Sequence, residues 1–168
     1  AAAVGLLLGE TPELIAQGLV SYQASGMRQN IYEQDGYQIY ADCYNASPDA
    51  MEATLSVLGG MAGEGRRFAV LGSMLELGDY AEEGHRRAGR AAAQYADALY
   101  AYGPDAAAMV AGAREKGMEH AYAFDDQTAL VAALREDAKK GDALLFKGSR
   151  GMRMERALAM FLGEEVEA

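Results

Sequence analysis

The stretch Asp42-Cys43-Tyr44-Asn45-Ala46-Ser47-Pro48-Asp49-Ala50-Met51 decides the fold. Ahead of it, Tyr37-Gln38-Ile39-Tyr40-Ala41 is β-branched and aromatic enough to read as a strand. Behind it, Met51, Leu55, Leu58 and Ala62 recur at i, i+4, i+7 and i+11, one face of a helix. Ser47 suits an N-cap, and Pro48 suits the first helical turn, where no amide donor is needed. The stretch is therefore a strand-to-helix corner. Open α/β sheets bind ligands outside the carboxyl ends of their strands, so a corner that collects Asp42, Tyr44 and Asn45 is a candidate ligand edge. An ordinary capped turn with incidental polar residues would have the same spacing.

Working outward, Gln34-Asp35-Gly36 separates two β-prone runs, 30–33 and 37–42. Asp-Gly there predicts a hairpin, because a type I′ turn needs positive φ at both central positions. Downstream the chain alternates. Strands are predicted at 68–72, 98–102, 121–124 and 143–146. A helix is expected from about Asp79, with Ala81, His85, Ala88, Ala92 and Tyr95 on one stripe. Later stripes are Ala106, Met109, Val110 and Ala113; then Leu130, Leu134 and Ala138; then Met154, Ala157, Leu158 and Phe161. This order predicts an α/β, Rossmann-like fold: a mostly parallel sheet with one antiparallel hairpin strand and helices on both faces.

Thr11-Pro12-Glu13 is a helix start, so residues 1–20 read as two short helices. Residues 21–28, with Ser25-Gly26 and no periodicity, read as a linker into a main domain at 29–168. The opening Ala1-Ala2-Ala3-Val4-Gly5-Leu6-Leu7-Leu8-Gly9 lacks an initiator Met and looks like the end of a buried helix, so a fragment of something longer is expected. That run is too short to span a bilayer and lacks the basic flank of a signal peptide.

A chain of 168 residues holds one domain with a full core, and its net charge of −10 with a pI near 4.6 argues against nucleic-acid or anionic-membrane surfaces. The single cysteine rules out an intramolecular disulfide and fits a reducing, cytoplasmic setting. With no His nearby in sequence, Cys43 reads as a small buried hydrophobe. Two isolated His residues and one Cys give no metal-ligand spacing, so no metal site is expected. His85 reads as packed on its helix.

Polar and Gly residues follow the predicted strand ends. Ser73 and Glu76 lie in Gly72-Ser73-Met74-Leu75-Glu76-Leu77-Gly78, and the last strand runs into Lys147-Gly148-Ser149-Arg150-Gly151-Met152-Arg153. No G-x-G-x-x-G and no G-x-x-x-x-G-K-[ST] is present, so any phosphate loop must come from elsewhere. Lys147, Arg150, Arg153 and Arg156 recur every three residues, read here as the start of a helix, where cations oppose the macrodipole. A bound anion would reverse that cost. A solvated basic face is the alternative.

These residues resemble a known family. Asp42-x-Tyr44-Asn45-Ala46-x-Pro48-Asp49-x-Met51 is similar to the D-x-Y-N-A-N-P-x-S-M element of the Mur ligases, in the branch that adds D-alanyl-D-alanine. Leu71-Gly72-Ser73-Met74-Leu75-Glu76-Leu77-Gly78 with His85 is similar to L-G-D-M-x-E-L-G…H. Leu145-Phe146-Lys147-Gly148-Ser149-Arg150 with Met154-Glu155 is similar to V-K-G-S-R…M-E. Ala1 to Leu19 resembles the last helices of that family's central ATPase domain, and Gly26-x-Arg28 its interdomain G-R element. Two departures stand out: Ser73 replaces the usual Asp, and Ser47 the usual Asn.

The resemblance implies the carboxyl-terminal domain of a three-domain ligase, with the tail of the central one. Such enzymes use ATP and magnesium (Mg2+) to phosphorylate the carboxylate of UDP-N-acetylmuramoyl-tripeptide, and the amine of D-Ala-D-Ala attacks the acyl phosphate. The phosphate loop, magnesium ligands, modified lysine and adenine-contacting Asn would lie in the missing domains, leaving no catalytic residue in this part. Arg28, Asp42, Tyr44 and Asn45 would serve the nucleotide, with Asp42 on the ribose hydroxyls. Lys147, Ser149 and Arg150 are expected to hold the dipeptide carboxylate. Two alternatives remain: a related ligase such as a folylpolyglutamate synthetase, and a non-catalytic small-ligand or anion-binding α/β module.

Overall fold

The computed structural model describes residues 1–20, 28–61, 63 and 65–165. Its first elements are helices α1 (Ala2–Leu7) and α2 (Pro12–Val20), the second capped where Thr11 Oγ1 accepts the Leu14 amide at 3.3 Å. The linker expected at 21–28 lies outside the described residues except for Arg28. Strands β1 (Asn30–Gln34) and β2 (Tyr37–Asp42) pair antiparallel. Their turn has Asp35 at φ 53° and Gly36 at φ 87°, the paired positive values that a type I′ turn requires.

From there the chain alternates as its periodicity predicts. Helix α3 (Pro48–Gly60) is capped by Ser47, whose side chain accepts from the Ala50 amide, with Pro48 at its start. Then come β3 (Arg67–Gly72), α4 (Ala81–Tyr95), β4 (Ala98–Tyr102), α5 (Ala106–Glu115), β5 (Ala121–Phe124), α6 (Gln127–Asp137), β6 (Ala143–Lys147) and α7 (Met154–Leu162). A 3₁₀ turn at Gly78–Tyr80 leads into α4, so the helix opens two residues later than Asp79 suggests. Asp126 caps α6 by accepting from the Ala129 amide at 2.8 Å.

The strands form one six-stranded sheet in the order β1-β2-β6-β3-β4-β5, parallel except for the β1–β2 hairpin. Two apolar layers flank it. Met51, Leu55 and Leu58 of α3, Ala88 and Ala92 of α4, and Met109 of α5 pack with Ala69, Leu71, Leu99 and Leu145. On the other face Leu130 and Leu134 of α6 and Leu158 and Phe161 of α7 pack with Phe68, Val70, Leu144 and Phe146. Strand β6 is apolar from Ala143 to Phe146 because it is central and covered on both faces. The carboxyl ends of β2, β6 and β3 are thus set side by side.

Candidate ligand edge

Parallel pairing of β2 with β6 places Asp42 opposite Lys147. Lys147 is 2% exposed and Asp42 7%. The Lys147 ammonium donates to Asp42 Oδ2 at 2.5 Å and to the Asn45 carbonyl at 2.9 Å. Asp42 also accepts from the Gln29 amide at Oδ1, 3.3 Å, and from Thr54 Oγ1 at Oδ2, 3.5 Å. A buried ion pair holds only when its remaining valences are met, and here both carboxylate oxygens are engaged from within the chain. The pair fastens the corner after β2 to the end of β6.

Above it, Tyr44 is half exposed, and the Arg28 guanidinium lies 3.8 Å from its ring centroid, within cation–π range. Asn45 Oδ1 accepts from the Ala46 amide at 2.8 Å. The structure therefore gathers Arg28, Asp42, Tyr44, Asn45 and Lys147 on one corner. Cys43 faces inward against the Phe146 carbonyl, and burial, with the Glu155 and Asp42 carboxylates nearby, pushes its thiol up to about 12. At neutral pH it stays protonated, as a small hydrophobe would be expected to behave.

The basic run beyond β6 is not the start of a helix. Lys147 is the last strand residue, Arg150–Met152 forms a 3₁₀ turn, Arg153 takes a left-handed conformation at φ 47°, and α7 begins only at Met154. The three-residue spacing thus crosses four conformations, with Arg156 alone in the helix, and these cations share no helical face. Ser149 makes no side-chain cap either, because its Oγ accepts the Leu75 amide at 2.9 Å and so ties β6's exit to the loop after β3. Gly148 serves the same joint. A Cβ there would stand 2.7 Å from Met154 Cγ and 3.1 Å from Gly72 Cα. Arg150 reaches solvent, 54% exposed along its side chain, and pairs with Glu155.

The β3 exit is held from the other side by His85, which is fully buried. Its Nε2 accepts the Met74 amide at 2.8 Å, while Nδ1 lies 2.6 Å from the Ala81 carbonyl. An amide can only donate, so Nε2 carries a lone pair and Nδ1 the proton. His85 is a packed strut, as its place on an apolar stripe predicts. Ser73 is also fully buried, accepting the Asp105 amide at 3.0 Å, and faces away from the surface. Glu76 is exposed at φ 68°. His120, exposed, meets the Tyr122 hydroxyl at 3.2 Å. Among the described residues no group of His, Cys, Asp and Glu converges on a metal position.

Sequence reasoning missed the Lys147–Asp42 pair and the His85–Met74 bond. Lys147 left one signal: it closes a strand whose other residues are all apolar, and that strand's place is buried. The His85 bond left none, since its partner is a backbone amide.

A Rossmann-like sheet whose polar carboxyl edge joins a buried Lys–Asp pair to outward cations defines a domain of the α/β class. The chain belongs to the Mur ligase family: the profile described as "Mur ligase, glutamate ligase domain" matches residues 27–150. It is 37% identical to the UDP-N-acetylmuramoyl-tripeptide–D-alanyl-D-alanine ligase of Bacillus subtilis over 158 residues, 92% of this chain and 35% of that one. Among solved structures it is similar to the MurF ligase of Thermotoga maritima in complex with ADP, with a TM-score of 0.80 and 33% identity, covering 96% of this chain and 36% of that one. MurF of Acinetobacter baumannii gives 0.82 and 29%, over 96% and 35%. A bifunctional folylpolyglutamate synthase/dihydrofolate synthase, at 18% identity and a TM-score of 0.61, shares the fold alone. The chain spans about a third of the length of the curated relatives it matches. Among the described residues no helix is long and apolar enough to cross a membrane.

Proposed function

We propose that this chain is the carboxyl-terminal part of a cytoplasmic, ATP-dependent amide ligase that adds D-Ala-D-Ala to UDP-N-acetylmuramoyl-tripeptide in peptidoglycan synthesis. The observation that carries the reading is the likeness to D-alanyl-D-alanine ligases over nearly the whole chain. In this reading residues 1–20 end a central ATPase domain, 21–28 link, and 29–168 form the carboxyl-terminal domain. Support comes from α1 and α2, which bury no residue and leave Val4, Leu6, Leu7, Leu14, Leu19 and Val20 exposed, apolar faces suited to a larger body.

The residues present fit a nucleotide. Arg28 offers donors to phosphate or ribose, Tyr44 a ring face and Asn45 a carboxamide. Asp42 would accept from ribose hydroxyls by exchanging its long bond to the Gln29 amide. ATP supplies the phosphoryl group that activates the tripeptide carboxylate. By the family resemblance, the magnesium donors are assigned to the preceding domain. For the dipeptide, Arg150 grips the carboxylate from the surface, while Lys147 and Ser149 fix the corner that presents it. The test is phosphate release by the full-length protein. It should require UDP-N-acetylmuramoyl-tripeptide and D-Ala-D-Ala together, with folate and glutamate as the control pair. Release that depends on folate and glutamate instead would overturn the reading. The 168-residue chain alone is expected to release none.

A further inference from the structure

Far from the ligand edge, the last two strands leave an aromatic surface open. Register places Tyr100 of β4 beside Tyr122 of β5, and Phe124 shares that face two residues on. The Tyr100 and Phe124 rings stack 5.8 Å apart and 5° from parallel, and Tyr100 meets Tyr122 at 5.3 Å. Across the sheet the row continues to Phe68 of β3, 6.1 Å from Tyr100. Over its outer end lies a cleft of about 550 Å³, walled by Glu136 and Asp137 from the last turn of α6.

The inner end of this row already shows what such a surface holds. The Arg66 guanidinium sits 4.7 Å from the Phe68 ring centroid while pairing with Asp137 at 2.6 Å. At the outer end Asp137 is already spent on Arg66 and Tyr100, but the Tyr122 ring stands with a second carboxylate, Glu136, and with His120, whose Nδ1 lies 3.2 Å from the Tyr122 hydroxyl. Tyr122 is 40% exposed, no guanidinium or ammonium covers it among the described residues, and Glu136 makes no ion pair there. The carbonyl end of α6 adds negative potential. Tyr100 cannot contribute a proton, because its hydroxyl donates to Asp137 at 3.1 Å. Aromatic faces flanked by carboxylates favour a planar, weakly hydrated cation, and guanidinium fits this better than ammonium.

Strand β5 is also the terminal strand of the sheet; on its outer side the Ala121 amide and carbonyl are taken by the Glu119 carbonyl and the Arg114 guanidinium, so Ala123 is the residue open to another strand. An extended peptide laid there would place alternate side chains over the Tyr122 face. We propose that this cleft docks an arginine side chain of a partner polypeptide added as a strand along the free edge of β5. This site stands apart from the ligand edge and does not depend on the function proposed for it.

The test is an NMR titration of the 168-residue chain with a blocked pentapeptide, Thr-Val-Arg-Val-Thr, and with its Lys and Leu counterparts at the centre. The arginine peptide should shift the Tyr122 and Phe124 rings and the β5 amides saturably, with the Lys peptide several-fold weaker and the Leu peptide silent. Tyr122→Leu keeps apolar bulk but removes the ring, and should weaken binding about fivefold; Glu136→Gln should weaken it about threefold. Equal response to Arg and Lys peptides, insensitive to Tyr122→Leu, would reduce the surface to diffuse acidic attraction and overturn the proposal. Binding of blocked single arginine as tight as the peptide would overturn it too, by making the cleft a small-ligand site.

Discussion

The two edges of the sheet handle charge differently. At the amino edge Asp97 accepts the Arg67 amide at 2.8 Å and its guanidinium twice at 3.0 Å. Asp142 accepts the amides of Arg66 and Lys139, and Asp137 takes the Arg66 guanidinium. Arg67 holds the Asp97 carboxyl below the usual carboxylate range, and Arg66 does the same for Asp137. At the carboxyl edge one pair, Asp42–Lys147, is sealed beneath the surface, and above it the cations Arg28 and Arg150 remain near water. The amino edge is a closed fastener between strands. The carboxyl edge is fastened below and keeps its cations near water above, where the proposed function places an anionic or zwitterionic ligand.

The largest expected effect breaks the seal. Lys147→Met strands the Asp42 charge in a buried site and should cost about 3–5 kcal/mol in urea denaturation. The double substitution Asp42→Leu/Lys147→Met should recover most of that. A single-variant loss under about 1 kcal/mol would show that the pair does not hold the corner.

Next comes the exposed layer. Arg150→Ala should raise the dipeptide KM of the full-length enzyme roughly ten- to a hundredfold, from a charge-assisted bond of about 1.5–3 kcal/mol. Folding stability should fall by much less than for Lys147→Met, since Arg150 is 54% exposed although Glu155 is mostly buried. Arg150→Lys should not restore KM, because a point charge cannot grip both carboxylate oxygens. A destabilised Arg150→Ala with unchanged KM would move this residue to the fastening layer.

The amino edge should respond to pH. Asp97 has a folded pKa below its unfolded value, so its stabilisation is fully present above about pH 4 and is lost as pH falls through the depressed value. Asp97→Asn should therefore cost about 1 kcal/mol at pH 7, discounted because the carboxylate is over a third exposed. The gap between parent and variant should shrink under acid. A pH-independent gap would assign the loss to backbone geometry instead of charge.

The smallest effect concerns Arg28 on Tyr44. A double-mutant cycle with Arg28→Gln and Tyr44→Leu should give a coupling of about 0.5–1 kcal/mol in the ligand-free chain. No coupling would mean the stacking contributes nothing without ligand.

Local chemistry made much of this fold legible. Asp35-Gly36 specified its turn because positive φ is a property of those two residues, and Ser47-Pro48 specified a helix start for a similar reason. The basic run after β6 was misread because spacing alone does not show where a strand yields to a turn. Arg153 turns left-handed where the run was read as regular helix, and Ser149 spends its hydroxyl on Leu75, distant in sequence. Lys147 and Asp42 lie 105 positions apart. Their partnership depends on β6 sliding in beside β2, a fact of topology that neither residue's neighbours encode.

That insertion has a consequence for how the molecule is born. The strand made sixth lies third across the sheet, between β2 and β3. On the ribosome, everything up to β5 emerges before the piece that joins the halves. Until then a β1–β2 hairpin and a β3-β4-β5 set each present a raw edge where β6 belongs, with Ile39 and Phe68 awaiting their partner Leu144. Sheet closure is a late, long-range event, and nascent chains are most exposed to misassembly just before it. A stop codon between β5 and β6 would release two unjoined pieces of sheet, and no smaller version of the domain.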